Sequence, residues 1–479
     1  MALEFNIIYA SDAPEEKKAL KIASSQLCSY TELCHNCIKA DEFNEENLKK
    51  DLFILGTQRD NPYIARLVKD GYLNPCDKKE GFSIKFMKNP YSPEAFILAI
   101  ASKDDPRGVL YGTVELFYNV LPDKKNRHNH CPYFYELFKK DIPEPFELSS
   151  APACKHRGLW TWGHVIFDYK RYIDRMVTMK MNSLVIWNDY PPVNLKEVID
   201  YAHSCGIAIY AGYAWGWDNT KIHISKEILS QLRVKIVKEY QEKYQSFDLD
   251  GIYFQSFTET TKDELDGLNI AQEVTNLVND VSAVLLEKEP ELKLLFGLHA
   301  TSVKTKLDVI NKVDKRVYII WEDMGAFPFA YVPQKVEDFP ETTEFTKAIA
   351  SLRGNKERFG AVTKGLVCLD WIKFIHQKGP FVMGEATAEY IKRRFETKKD
   401  IWKYTSAYWL QNASFAKKAI AAMLEENPES FIVGLVEDAL IEEALPLPVA
   451  LYGELLWNPH GDEGELLTKC AQREDVYSI

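Results

Sequence analysis

From Arg157 onward the sequence repeats one unit: a run of five to eight apolar or aromatic residues, then a long stretch with helical periodicity. That rhythm is the one parallel strands need, because a helix after each strand carries the chain back to start the next in the same direction. Eight such runs are found, at 158–162, 183–187, 208–213, 251–257, 294–298, 317–321, 365–369 and 449–455. Amphipathic helices are expected at 169–181, 195–204, 226–244 and 271–287, where a ring of parallel strands requires them. Eight units predict a closed (β/α)8 TIM barrel over 153–479, with a mostly helical insert at about 387–444 decorating the last one.

The first 122 residues alternate strand and helix patterns on a smaller scale. Apolar runs at 5–10, 51–56, 81–86 and 95–100 are interleaved with helical stretches at 14–30, from 62 onward and from 107 to about 121. This reads as a small α/β sandwich domain. Residues 123–152 are rich in Pro, Lys, Asn and His with little periodicity and read as a linker.

Composition narrows the function classes. With 46% hydrophobic and 27% charged residues, the 479-residue chain has the material for two folded cores. Acidic residues outnumber basic ones by 70 to 59, a net charge of -11, and no basic cluster offsets it, so nucleic acid is not an expected partner. No apolar run approaches a membrane span, and the start lacks the basic and apolar regions of a leader, so a cytoplasmic protein with no membrane partner is expected. The nine cysteines are scattered and odd in number, which is no disulfide framework. Cys34 and Cys37 have Cys-x-x-Cys spacing, but no second pair of soft ligands follows at zinc-site distance. Motifs of zinc peptidases, serine hydrolases and phosphate-binding loops are missing, so neither metal nor cofactor is expected. Nothing in the sequence fixes an oligomeric state.

A barrel places its chemistry where the carboxyl ends of its strands meet eight loops. The expected ends are rich in tryptophan and polar groups: Trp160, Trp162 and His164; Trp187, Asn188 and Asp189; Tyr213, Trp215, Trp217 and Asp218; Gln255 and Glu259; His299; Trp321, Glu322 and Asp323; Asp370 and Trp371; Glu454, Trp457 and Asn458. Indole faces suit the C–H face of a sugar, and Asp, Asn, Gln and His suit its hydroxyls, so a carbohydrate or glycoconjugate is the expected substrate.

Cleaving a glycosidic bond takes two carboxyl groups, one protonated to assist the departing oxygen and one ionised. Glu259 is the acid candidate, since it closes the apolar strand Ile252–Tyr253–Phe254 and burial beside aromatic rings would raise its pKa. The second carboxylate is drawn from Glu322, Asp323 and Asp370, with Glu385 and Glu454 behind them. Glu322 follows Trp321, which is expected to stack on the same sugar ring.

The residues 81–84, 96–102 and 105–116, followed by His156-Arg-Gly-Leu159 and 173–182, resemble the domain pair of family 20 β-hexosaminidases and family 67 α-glucuronidases. The resemblance implies an exo-acting glycoside hydrolase that removes a terminal sugar. By it, Arg157 corresponds to a sugar-binding arginine, and Thr258–Glu259 to the hexosaminidase Asp–Glu pair, with the acid kept and its aspartate partner replaced. The order Glu259, Glu322 or Asp323, Asp370 is similar to the carboxylates of the glucuronidases. The rival expectation is a catalytically inactive carbohydrate-binding barrel.

Overall fold

The computed structural model describes residues 5–31, 35–41, 44–121, 145–188, 190–216, 224–257, 262–299, 303, 305–322, 339–354, 358–367 and 379–477. The chain divides into two compact units, Met1–Pro152 with Ser204–Gly206 and Gly464–Tyr477, and Ala153–His203 with Ile207–Glu463.

The first unit is built on a six-stranded sheet in the order His35–Lys39, Phe5–Tyr9, Leu52–Thr57, Phe96–Ser102, Phe82–Lys88, Phe146–Ser150. The first four are parallel neighbours and the last two join antiparallel. Leu52–Thr57 is buried at every position, as a strand covered on both faces must be. One cover is the helix Pro62–Lys69, whose Tyr63, Ile64 and Leu67 share a core with Ile8, Ile54 and Ile97. Its start is fixed locally: the Asn61 side chain accepts from the N–H groups of Tyr63 and Ile64, and Pro62 needs no donor in the first turn. The opposite cover is the helix Pro106–Val114, where a β-carbon on Gly112 would fall 2.6 Å from the Ile100 side chain. Strand Phe146–Ser150 lies within the stretch expected to be linker.

The second unit is a (β/α)8 barrel. Its eight parallel strands, in chain order, are His156–Trp162, Ser183–Trp187, Ala208–Ala214, Gly251–Gln255, Lys293–Leu298, Val317–Trp321, Phe359–Val367 and Phe431–Glu437, and the ring closes between the eighth and the first. The first six fall where the apolar runs predict. The seventh begins earlier than expected and carries an irregularity between Thr363 and Leu366.

The eighth strand corrects the sequence expectation. Residues 449–455 belong to the helix Leu447–Trp457, in which Pro448 to Trp457 are all buried. A helix wrapped in protein on every side has no polar face, so its sequence loses the 3.6-residue pattern and mimics a buried strand. The true strand, Phe431–Glu437, lies inside the stretch expected to be a helical insert, directly after the helices Ala388–Gln411 and Ala413–Glu426.

The alternation of strand side chains fixes the barrel interior. Trp160, Trp162, Val185, Trp187, Tyr210, Tyr253, Leu295, Tyr318, Ile320, Val362, Phe431, Val433 and Leu435 form one continuous core inside the ring. Gly158 is needed for closure, because a β-carbon there would stand 1.6 Å from the Ser183 carbonyl oxygen on the next strand.

Two residues expected to bind sugar sit at the other end. Arg157 is the second residue of the first strand, and its guanidinium donates to the carbonyls of Lys180 (2.6 Å) and Cys154 (3.1 Å). The Trp457 ring packs under Arg157 at 5.0 Å and under the Lys180 ammonium at 4.8 Å, and Lys180 pairs with Glu454 at 2.7 Å in full burial. Arg157, Glu454 and Trp457 therefore close the amino-terminal end of the barrel and take no part at its mouth.

Removing one partner of a buried ion pair strands the other charge, at about 3–5 kcal/mol, whereas replacing both by apolar groups is close to neutral. Glu454→Ala is expected to lower the urea midpoint sharply and the Lys180→Met/Glu454→Leu pair to recover most of it. A single variant no less stable than a surface substitution would contradict this placement.

Candidate active site

At the carboxyl ends of the strands, the same alternation decides which side chains reach the mouth. Trp160, Trp162 and Trp187 face inward but are only 6%, 7% and 3% exposed. They pack on one another and on Tyr253, with ring centroids 5.6–6.0 Å apart. Above this aromatic floor the inward positions turn polar: Gln255 on the fourth strand, Glu322 just past the sixth, Lys364 on the seventh and Glu437 on the eighth.

Glu322 is the centre of this group. Its carboxylate accepts from the Tyr253 hydroxyl, from Gln255 Nε2 at 2.8 and 2.7 Å, and from His299 Nε2 at 2.8 Å. The space it occupies exists because residue 297 is glycine: a β-carbon there would lie 1.9 Å from Glu322 Oε1 and 2.7 Å from the Tyr253 hydroxyl. Burial pushes the Glu322 pKa up, but the charge and hydrogen bond of His299, the Lys364 ammonium and the Gln255 amide prevail and hold it at about 2. Glu322 is an ionised carboxylate at any ordinary pH.

Glu437 is its opposite. It is fully buried, and among the described residues neither carboxyl oxygen completes a hydrogen bond. Burial drives its pKa well above the usual carboxylate range, and Asp438 adds to the rise. Against it work the Lys364 ammonium and the indole N–H of Trp162, which approaches without hydrogen-bond geometry. The next acid, Asp438, is spent on Arg394 (3.0 and 2.5 Å) and Lys398 (3.0 Å). Glu442 accepts from the backbone N–H groups of Phe167 (2.8 Å) and Asp168 (3.4 Å) and so ties the loop after the eighth strand to the loop after the first. Burial raises its pKa to about 7 in spite of those bonds.

Of the residues expected here, Glu322, Gln255 and His299 come together, with Trp162 and Trp187 in the aromatic floor. His164 lies in the short turn after the first strand, its ring 6.2 Å from that of Trp162. The Asn188 amide donates to the Tyr190 carbonyl of its own loop. Glu259, Asp323, Asp370, Asp189 and Trp371 lie outside the described residues.

Three expected binding residues point the wrong way. Tyr213 stacks on Tyr244 at 4.8 Å, and Trp215 lies flat on Phe254, both behind the barrel wall. Trp321 turns into the helix layer, where its indole N–H donates to Thr346 at 3.2 Å and its ring meets Phe345. Adjacent strand residues face opposite sides, so Trp321 and Glu322 cannot serve one cavity. Sequence reasoning missed Glu437, Lys364, Tyr253 and Gly297. The first two follow from the alternation of Phe431–Glu437 and Phe359–Val367 once those strands are in place.

Among the described residues, no group of three His, Cys, Asp or Glu side chains is placed to hold a metal ion, and no helix is long and apolar enough to cross a membrane. The chemistry on offer is that of two buried carboxyls whose pKa values are pushed in opposite directions, with a lysine beside them. No protein-family model matches the chain, and no curated protein sequence matches it. Solved structures similar to it include CpGH84B, at 12% identity and TM-score 0.56 over 98% of this chain and 70% of that one. CpGH84D is 14% identical with TM-score 0.46 over 90% of this chain and 67% of that one. AbfB, a family 51 α-L-arabinofuranosidase from Bifidobacterium longum, is 11% identical with TM-score 0.33 over 60% and 68%. At these identities the likeness describes the path of the chain.

Glu322 and Glu442 act on stability in opposite pH windows. Glu322, lowered from 4.5 to about 2, adds stability above pH 4.5 that is lost as pH falls toward 2. Glu442, raised from 4.5 to about 7, adds stability below pH 4.5 that is lost as pH rises through 7. At about 1.4 kcal/mol per unit, each is worth roughly 3 kcal/mol. Urea unfolding across pH is expected to show Glu322→Gln flattening the acid limb and Glu442→Gln flattening the limb between pH 4.5 and 7. Unchanged slopes would reject the assignments.

Proposed function

We propose that this chain is an exo-acting glycosidase that removes a terminal sugar from a carbohydrate or glycoconjugate, using a pair of carboxyl groups at the carboxyl-terminal mouth of the barrel. The observation that carries the reading is Glu322, a buried carboxylate kept ionised by Tyr253, Gln255 and His299 at the end of the sixth strand. The other buried glutamate with a charged partner, Glu454, pairs with Lys180 at the amino-terminal end and serves closure alone. An ionised carboxylate beside an anomeric carbon, by contrast, stabilises the positive charge that develops as the glycosidic bond breaks, and it can attack that carbon or activate water.

The floor beneath it supports the same substrate. Trp162 and Trp187 pack edge to face below the acids, and indole is the ring type that suits a pyranose C–H face. The sequence resemblance to β-hexosaminidases and α-glucuronidases makes terminal hexosaminides and uronides the first substrates to test.

A panel of aryl glycosides in both anomeric forms tests the proposal. Wild type is expected to release aryl alcohol from at least one sugar, and Glu322→Gln to reduce kcat on it by about a thousand-fold while still binding the sugar. Sugar binding without turnover in wild type would instead identify a carbohydrate-binding barrel.

A further inference from the structure

Among the described residues, two carboxyls project inward from the carboxyl ends of the barrel strands, Glu322 and Glu437. Glu322 has donors on both oxygens, whereas Glu437 has none on either among the described residues. A carboxylate buried without a donor costs several kcal/mol, so a group so placed keeps its proton. A structural acid would be given partners, as Asp438 is by Arg394 and Lys398 and Glu442 by two backbone N–H groups.

From this contrast we infer that Glu437 is the proton donor of the site, with Glu322 as its ionised counterpart. The inference rests on the glycosidase reading and names the acid within it. The surroundings fit a group that must also release its proton. Lys364, on the adjoining seventh strand, and the Trp162 indole on the first both favour the carboxylate that forms on transfer. The other titratable groups that act with Glu437 are Asp438, the residue just past its strand, and the Tyr172 phenol on the helix after the first strand.

In the step itself the anomeric C–O bond breaks, its electron pair stays on the departing oxygen, and that oxygen takes the Glu437 proton. Water then gives its hydroxyl to the anomeric carbon and a proton that restores the acid.

The test compares leaving groups, because a good one departs without a proton. Wild type, Glu437→Gln and Glu259→Gln are assayed on the phenyl and 2,4-dinitrophenyl glycosides of a sugar that wild type hydrolyses. Glu437→Gln, neutral and nearly isosteric, is expected to slow the phenyl glycoside by at least about 100-fold and the dinitrophenyl glycoside by less than about 10-fold, with loss of the alkaline limb of kcat/KM. Glu437→Asp, which keeps a proton on a shorter arm, is expected to recover part of the phenyl rate and serves should the glutamine variant fold poorly. The inference is overturned if Glu259→Gln shows the leaving-group signature and the Glu437 variants do not, and the glycosidase reading then survives. Absence of turnover by wild type on every glycoside removes both.

Discussion

A ring of eight parallel strands has no edge, so its closure leaves each strand residue only two directions, into the ring or out toward the helices. Here closure is made by Phe431–Glu437 pairing with both Phe359–Val367 and His156–Trp162. Once that strand is in place, Phe431, Val433 and Leu435 fill the interior, and the next inward position, Glu437, comes level with Trp162. The same two-residue period sets Glu322 above Ile320 and Tyr318, and sends Trp321 into the helix layer. The composition of the mouth is thus a consequence of how the ring closes.

The mouth combines two solutions to one electrostatic problem. A buried carboxyl must either be given donors or keep its proton. Gly297 opens the space in which Tyr253, Gln255 and His299 reach Glu322, so that carboxyl ionises. Glu437 has no such donors among the described residues, and burial pushes its pKa up, while Lys364 acts on both. Two carboxyls whose environments push their proton affinities apart are what acid-assisted bond cleavage needs, and they arise here from local packing alone.

Much of the fold was legible in the sequence because apolar strands and amphipathic helices leave patterns that burial imposes. Strands one to six fell close to the predicted runs. The eighth was lost because Leu447–Trp457 is apolar on every side and Phe431–Glu437 hides behind two long helices. That one error displaced Glu454 and Trp457 from the floor of the barrel to its mouth and left Glu437 unread. Trp215 and Trp321 were misjudged for a different reason: richness in aromatic residues at strand ends does not reveal which side each ring takes. That Glu322, Gln255 and His299 lie together at the mouth was legible from strand-end position, but the hydroxyl of Tyr253 comes from one turn of the pleat deeper, where sequence suggests only core.

The central claim is that the two inward carboxyls hold opposite protonation states, and infrared difference spectroscopy of the carboxyl stretch at neutral pH tests it most directly. Subtracting the Glu437→Gln spectrum from wild type is predicted to isolate a protonated carboxylic acid band, and subtracting Glu322→Gln a carboxylate band. A carboxylate band from Glu437, or a protonated band from Glu322, would contradict the account.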